Sequence, residues 1–186
     1  MAHIQIIIGS TRPGRLGKPL ADWLYKSVKD NYSDTAFELV DIEEYNLPLL
    51  DESNLPAMQK YEQAHTKKWA ETIAKADGYV FVTPEYNHAP ASSLTNAIDY
   101  LFMEWKYKPV AFFGYGAMGG VRAIEQLINQ AVGVNLLPLR DQLHVFEPWT
   151  AFDENGELKP ANIKGDIDTT IKTLIRVAEG TQSLRS

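Results

Sequence analysis

A short loop near the start of the chain combines glycines with hydroxyl and guanidinium groups. Its sequence is GSTRPGRLG at residues 9–17, directly after a β-branched run and directly before an amphipathic helical pattern. A helix N-terminus offers unpaired backbone N–H groups and the positive end of the helix dipole. Ser10 and Thr11 add hydroxyl donors, and Arg12 and Arg15 add charge. The pattern predicts a site for a phosphate monoester; the alternative is a solvated glycine-rich turn with two surface arginines.

Two familiar phosphate-binding motifs do not match this loop. The Rossmann pattern G-x-G-x-x-G requires a second glycine where Thr11 stands. The P-loop requires a lysine where Arg15 stands, and Lys18 is followed by Pro19 where serine or threonine is needed. These mismatches argue against a dinucleotide bound in the Rossmann manner and against a nucleoside triphosphatase.

Two further loops carry features that suit a flat, polar ligand. Residues 83–90, TPEYNHAP, hold an aromatic ring and an amide between prolines, and Ser92 or Ser93 can cap the helix that follows. Residues 114–120, GYGAMGG, allow close backbone approach, and the N–H groups entering the next helix can support negative charge on a ligand. Taken singly, each loop is also explained by a packed aromatic residue or a tight turn.

Strand and helix patterns alternate along the chain. Buried or alternating apolar runs predict strands, and apolar residues at helical spacing predict helices. The predicted strands are residues 3–8, 37–42, 79–83, 109–113 and 135–146, and the predicted helices are residues 18–30, 59–76, 91–105, 121–132 and 166–179. Residues 153–165 are polar and predict a loop.

This element order predicts an α/β fold. We expect one domain over residues 1–186, a flavodoxin-like doubly wound five-stranded parallel sheet with strand order 2-1-3-4-5 and helices on both faces. In that order the ends of strands one, three and four are neighbours. The three loops described above should therefore meet at one edge of the sheet.

Composition excludes several classes of function. A formal net charge of -6 gives no general attraction to nucleic acid, and the absence of cysteine removes thiol chemistry. No apolar stretch is long enough for a membrane span, and no signal-peptide pattern is present, so we expect a cytoplasmic protein with no membrane partner. The four histidines have no metal-ligand spacing, so no metal site is predicted; a hydrolase using Ser10 lacks the G-x-S-x-G elbow.

Together, GSTRPGRLG, TPEYNHAPASSLTNAIDYL, EWKYKPV and GYGAMGGVRA resemble the NADPH-dependent FMN reductase family. The most specific element is PEYN followed by the N-A-I-D helix. The resemblance implies tightly bound FMN, NADPH or NADH as electron donor, and a homodimer or homotetramer. It also implies hydride transfer from nicotinamide to FMN N5, followed by reduction of a small-molecule acceptor: a quinone, an azo compound, a flavin or a metal oxyanion.

The resemblance assigns residues by matching motif. The expected cofactor-binding residues are Ser10, Arg12, Arg15 and Gly17 around the phosphate, Pro84, Glu85, Tyr86 and Asn87 beside the isoalloxazine, and Tyr115, Gly116, Gly119 and Gly120 on the other side of the ring. No catalytic side chain is obligatory, because the flavin carries the chemistry. One departure is Gly114, which stands where many members have a serine.

Two points stay open from sequence. The first is an alternative function, a flavodoxin-type electron carrier without a nicotinamide site; moderate acidity and two arginines in the phosphate loop favour the enzyme. The second concerns Tyr100, Phe102, Met103, Trp105 and Tyr107, which span more than one helical face. They predict a symmetric dimer interface, with packing in the chain's own core as the alternative.

Overall fold

The computed structural model describes residues 1–185 and contains a six-stranded sheet. Its strands are β1 (Ala2–Ile8), β2 (Thr35–Asp41), β3 (Gly78–Pro84), β4 (Pro109–Gly116), β5 (Leu137–Phe146) and β6 (Ile163–Lys164). The order is β2-β1-β3-β4-β5-β6, and β1 to β5 are parallel. The predicted fold and strand order are confirmed. The structure adds β6, which pairs antiparallel with β5 inside the segment predicted to be a loop.

Five α-helices cover the two faces of the sheet. They are α1 (Gly17–Lys29), α2 (Ala64–Ala74), α3 (Ser92–Asp99), α4 (Val121–Gly133) and α5 (Ile167–Gly180), with 3-10 turns at Ile42–Tyr45, Pro56–Met58 and Gln182–Leu184. One apolar core joins α1 and α5 to the sheet, and the other joins α2, α3 and α4 to its opposite face. Every residue of β3 is buried, as expected for the centre of a parallel sheet covered on both faces.

Two predicted helices are shorter than their apolar periodicity suggests. The prediction of residues 59–76 is wrong at its start, because Gln59 has a left-handed φ of 52° and α2 begins at Ala64. The prediction of residues 91–105 is wrong at its end, because α3 stops at Asp99 and two indole N–H groups bond to its last carbonyls. Trp69 donates to the Ala97 carbonyl at 2.8 Å and Trp105 donates to the Ile98 carbonyl at 3.1 Å.

Because α3 ends early, aromatic residues that follow it enter the core. Tyr100 and Trp105 are fully buried, and the Trp105 ring makes edge contacts with Trp69, Tyr79 and Phe81. Tyr100 and Trp105 therefore follow the alternative and pack in the chain's own core, so an interface would have to use the other residues of this group. Met103 does remain exposed.

The strand registers bring three loops together at the carboxyl edge of the sheet. Ile8 pairs with Val82, and Pro84 pairs with Tyr115. The loop after β1 starts with the Gly9 amide donating to the Val82 carbonyl at 2.9 Å. A Cβ at Gly9 would lie 2.9 Å from that same carbonyl oxygen, so only glycine lets the loop leave the sheet here. The predicted convergence of the three loops is thus a consequence of the register.

Candidate functional site

The N-terminus of α1 is open. No side chain caps it, and its first turn contains no acidic residue. The first intrahelical bond runs from Leu20 N to Leu16 O at 3.2 Å, which leaves the amides of Gly17 and Lys18 without a helical acceptor. A helix N-terminus in this state attracts anions through its N–H groups and its dipole.

A cluster of hydroxyl groups lies beside the loop that precedes α1. Ser10 Oγ and Tyr86 Oη are 2.9 Å apart, and Arg12 Nε donates to Tyr86 Oη at 3.1 Å. Tyr115 Oη is buried and makes no well-formed hydrogen bond among the described residues, and Ser10 and the Gly17 amide are its polar neighbours. A Cβ built on Gly17 would lie 2.7 Å from that oxygen, so the tyrosine hydroxyl occupies the space that the glycine leaves. The cluster therefore contains one buried hydroxyl with unused hydrogen-bonding capacity.

The electrostatic surroundings keep the Tyr115 hydroxyl protonated. Burial raises the pKa of Tyr115 well above its ordinary value, and the neighbouring Tyr86 raises it further. Contacts with Ser10 and Arg12 act in the opposite direction without reversing the shift. At neutral pH, Tyr115 thus offers an O–H donor and never a phenolate.

The two arginines of the loop have different surroundings. Arg12 is exposed, and no carboxylate within residues 1–185 forms an ion pair with it. Arg15 is only 10% exposed; its Nη2 contacts Asp41 Oδ2 at 2.5 Å and its Nη1 contacts the Glu43 carboxylate. Burial alone would lower the pKa of Arg15, but the bonds with Glu43 and Asp41 raise it. Arg12 is free to meet an anion, whereas the Arg15 Nη atoms are already paired.

The loop after β3 forms a tight turn. Tyr86 N donates to Ala89 O at 2.8 Å and Ala89 N donates to Tyr86 O at 3.0 Å, with Asn87 and His88 between them at φ values of 52° and 66°. Two consecutive left-handed residues are typical of a type I′ turn, in which asparagine is favoured. Gln126 of α4 donates to the His88 carbonyl at 2.6 Å and holds the turn from outside.

The predicted capping of α3 is wrong. The structure gives α3 the N-cap Ala91, with no side-chain cap. Ser93 instead donates its hydroxyl to the Gly9 carbonyl at 2.5 Å, across 84 residues of sequence. Ser93 thus ties the start of α3 to the start of the first loop.

The glycine loop after β4 depends on its backbone conformation. Gly119 and Gly120 have φ values of 67° and 74°, and a Cβ on Gly120 would lie 2.6 Å from Tyr115 N. A Cβ on Gly114 would lie 2.8 Å from the Gly119 carbonyl oxygen. The imidazole Nδ1 of His144 lies 2.9 Å from the same carbonyl. This loop is therefore packed backbone against backbone, which only glycines permit.

Glu85 links the second loop to the third. Its amide donates to the Tyr115 carbonyl at 3.0 Å, and its carboxylate accepts from Arg122 N at 3.1 Å and from Arg122 Nη1 at 2.6 Å. A carboxylate at a helix N-terminus compensates the helix dipole. One of the amides that we expected to support a ligand's charge, that of Arg122, is therefore already bonded within the chain.

A cavity of about 280 Å³ lies between these loops. Six predicted residues line it: Arg12, Pro84, Glu85, Tyr86, Tyr115 and Gly116. Pro148 and Trp149, which sequence reasoning missed, line it as well. Trp149 is 62% exposed and follows β5, the strand next to β4. That adjacency was the available signal: the loop after strand five also opens at this edge.

The structure brings most of the predicted site residues to one place. Those lining or shaping the cavity are Ser10, Arg12, Gly17, Pro84, Glu85, Tyr86, Tyr115, Gly116, Gly119 and Gly120. Asn87 lies on the exposed tip of the turn, and Arg15 points to the end of β2. Within the described residues there is no group of three potential metal ligands. Nor does any described helix have the length and apolar character needed to cross a membrane.

Several known proteins are similar to this chain in sequence or in fold. The family model of NADPH-dependent FMN reductases matches residues 2–150. An NAD(P)H-dependent FMN reductase from a Nectria species, ntnL, is 42% identical over 132 residues, which cover 68% of this chain and 66% of that protein. Another, C4B3.06c of Schizosaccharomyces pombe, is 41% identical over 173 residues, covering 85% and 86%. The flavoenzyme FerB of Paracoccus denitrificans has a similar fold, with a TM-score of 0.67 at 20% identity, covering 100% of this chain and 97% of that one.

Proposed function

This chain belongs to the NADPH-dependent FMN reductase family, a family of flavin-dependent oxidoreductases, and from that premise we propose how it works. We propose that FMN binds at the carboxyl edge of the sheet and that electrons pass from NADPH or NADH to a small-molecule acceptor. The observation that carries the proposed site is the buried, unpartnered Tyr115 hydroxyl beside Ser10, Arg12 and the open N-terminus of α1.

The residues present suit the FMN phosphate. Ser10 supplies a hydroxyl, Arg12 supplies an unpaired guanidinium, and Gly17 supplies a backbone N–H at the start of α1. A phosphate monoester accepts hydrogen bonds from all three kinds of donor. The same loop has Arg15 where a P-loop has lysine and Thr11 where a Rossmann loop has its second glycine, which favours a mononucleotide over a dinucleotide.

The cavity walls suit a flat ring. Tyr86, Tyr115 and Trp149 are aromatic, and Gly116 presents backbone without a side chain in the cavity wall. Bound FMN supplies the redox chemistry by taking a hydride from the nicotinamide and giving electrons to the acceptor. The chain's own residues position the reactants and exclude water, so no side chain has to act as acid, base or nucleophile.

We also propose an assembly, a location and a set of acceptors for this chain. The homodimer or homotetramer that the family resemblance implies would use exposed apolar residues. Candidates are Met118 and Val121 near the site and Met103 at the opposite edge of the sheet. A cytoplasmic location and a single domain over residues 1–186 complete the proposal. Quinones, azo compounds, flavins and metal oxyanions are the acceptor classes to test.

Purified protein tests the function directly. We expect a yellow protein that releases FMN, and we expect it to oxidise NADPH or NADH when menadione is added. A protein that binds FMN but oxidises neither nucleotide would instead be an electron carrier. Release of FAD, or no flavin after reconstitution with FMN, would contradict the proposed site. Light scattering at micromolar concentration measures the assembly, and a monomer mass would refute the oligomer.

A further inference from the structure

We propose that Arg15 is a positioning residue that clamps the phosphate loop to the end of β2. In this role its guanidinium holds Asp41 and Glu43 and does not itself contact the FMN phosphate. The inference rests on the proposed function, because it concerns how that phosphate site is held. It departs from the expectation that both arginines of the loop surround the phosphate.

The geometry of the ion pair points to a clamp. Arg15 Nη2 contacts Asp41 Oδ2 at 2.5 Å, and both side chains are about nine-tenths buried. Arg15 Nη1 contacts the Glu43 carboxylate, so the two Nη atoms of the fork are occupied. Arg15 Nε is buried and unpartnered, and Arg15 is absent from the residues that line the cavity, whereas Arg12 is among them. Arg15 thus has its charge and its strongest donors directed away from the cavity.

The clamp has a fixed support on β2. Asp41 is the last residue of β2, and its second carboxylate oxygen accepts from Glu43 N at 3.2 Å as the N-cap of the 3-10 turn Ile42–Tyr45. Asp41 also pairs with Ile8 of β1 in the sheet register. An arginine bonded to this carboxylate is therefore attached to the sheet itself.

The loop is consequently held at both ends. At its start, Gly9 bonds to Val82 and accepts from Ser93. Near its end, Arg15 bonds to the close of β2. Pro13 and Gly14 between the two anchors are exposed. Fixing both ends restricts the positions that Arg12 can take before a ligand arrives, which reduces the entropy lost on binding.

The charges of the cluster allow a clamp to be distinguished from a direct phosphate ligand by the direction in which FMN affinity changes. Arg15, Asp41 and Glu43 together carry one positive and two negative formal charges, so the cluster as a whole repels a phosphate. If Arg15 were a direct phosphate ligand, neutralising Asp41 would free its guanidinium and strengthen FMN binding. If Arg15 is a clamp, neutralising Asp41 releases the loop and weakens FMN binding despite the removal of a negative charge.

The experiment titrates apoprotein with FMN and with riboflavin and compares the two dissociation constants. We expect Arg15→Ala and Asp41→Asn each to weaken FMN binding by about tenfold while leaving riboflavin binding within about twofold. The double variant should be no weaker than Arg15→Ala alone. Asp22→Asn is the matched control, because Asp22 pairs with Lys18 in the exposed first turns of α1 and the substitution removes the same charge. Its FMN affinity should stay within about twofold of wild type.

Each outcome has one meaning. Unchanged or tighter FMN binding by Asp41→Asn overturns the clamp, as does a double variant whose losses add. Equal binding of FMN and riboflavin by the wild-type apoprotein would instead overturn the phosphate site of the proposed function. Thermal unfolding checks that the variants are folded. If Arg15→Ala does not fold, the nearly isosteric Asp41→Asn and Glu43→Gln replace it, and weaker FMN binding by both supports the clamp while unchanged or tighter binding overturns it.

Discussion

The two edges of the sheet each carry a cavity, and the larger one lies away from the proposed site. A cavity of about 470 Å³ at the amino edge is lined by Asp77, Glu104, Lys108 and Arg185. The charged groups there are bonded within the chain; among residues 1–185, Arg185 leaves only its Nε unpaired, while its Nη atoms bond to Asp77, Ala178 and Thr181. Lys108 Nζ donates to the carbonyls of Ile73 and Ala74 at the end of α2, and the Glu104 carboxylate accepts from two neighbouring side chains.

The carboxyl edge has the smaller cavity but more unused polar groups. Tyr115 has an unpartnered hydroxyl, Arg12 has no carboxylate partner among residues 1–185, and α1 has no cap. Buried polar groups in native proteins are nearly always satisfied, so an unpaired group inside a cavity indicates a missing ligand. The difference teaches that the polar groups left unpaired, and not the cavity volume, distinguish a binding site from a structural gap.

Two tryptophans provide the strongest test of this contrast. Trp105 is fully buried near the amino edge, so Trp105→Ala should lower the free energy of unfolding by about 3 to 5 kcal/mol. The FMN affinity of the folded fraction should not change. Trp149→Ala is the matched variant at the carboxyl edge, and because Trp149 is exposed it should change stability by no more than about 0.5 kcal/mol while weakening FMN or nicotinamide binding. Urea unfolding and flavin titration measure both; the opposite pattern would refute the contrast.

Arg12→Ala should have the next largest effect. A charge-assisted hydrogen bond contributes about 1.5 to 3 kcal/mol, so the FMN dissociation constant should rise by at least about tenfold. Riboflavin binding and the free energy of unfolding should stay near wild type. Lys18→Ala, which removes an exposed charge paired with Asp22, is the control. Equal losses for Arg12→Ala and Lys18→Ala would mean that only the general positive field matters.

Lys108 at the amino edge should make the free energy of unfolding depend on pH. Burial, together with nearby Arg185 and against Asp77 and Glu104, lowers the pKa of Lys108 to about 8. Between about pH 8 and pH 10 the unfolded chain then holds a proton that the folded chain has lost, so rising pH favours the folded state. Wild type should gain stability relative to Lys108→Met by at most about 1.4 kcal/mol per pH unit in this range. Urea unfolding of both proteins at pH 7, 8, 9 and 10 measures this difference, and a constant difference would disprove the shift.

Tyr115→Phe should give the smallest effect and the most specific one. The hydroxyl is buried without a partner, so its removal should stabilise the apoprotein by about 1 kcal/mol. FMN binding should weaken at the same time, because the cavity loses a donor. Thermal unfolding of apoprotein and flavin titration measure the two effects. A less stable apoprotein would show that the hydroxyl has a structural partner after all.

The sequence predicted the parts of the fold that follow from local pattern. β-branched runs alternating with amphipathic helices determined the strand order, and the order placed the three loops at one edge. Strand β6 was missed because Ile163 and Lys164 form a two-residue strand whose only reason to be extended is pairing with β5, which no local pattern shows. The end of α3 was missed because the bonds from Trp69 and Trp105 to its last carbonyls are long-range contacts that periodicity does not record.

The sequence predicted which residues form the site better than it predicted the contacts between them. Ser10, Arg12, Tyr86 and Tyr115 do lie together. The pairing of Arg15 with Asp41 depends on where β2 ends relative to β1, which requires the three-dimensional register. Residue types within a motif therefore identified the loop, but the fold decides which of its charges remain free.

The packing at Gly114 has a consequence for how this site can evolve. A side chain there would collide with the Gly119 carbonyl oxygen and come within 3.2 Å of Gly120 Cα. Gly114 and the tight Gly119–Gly120 turn are therefore one trait. A substitution that adds a side chain at position 114 requires the turn to move outward first, so the order of substitutions matters. We expect the two positions to change together in descent.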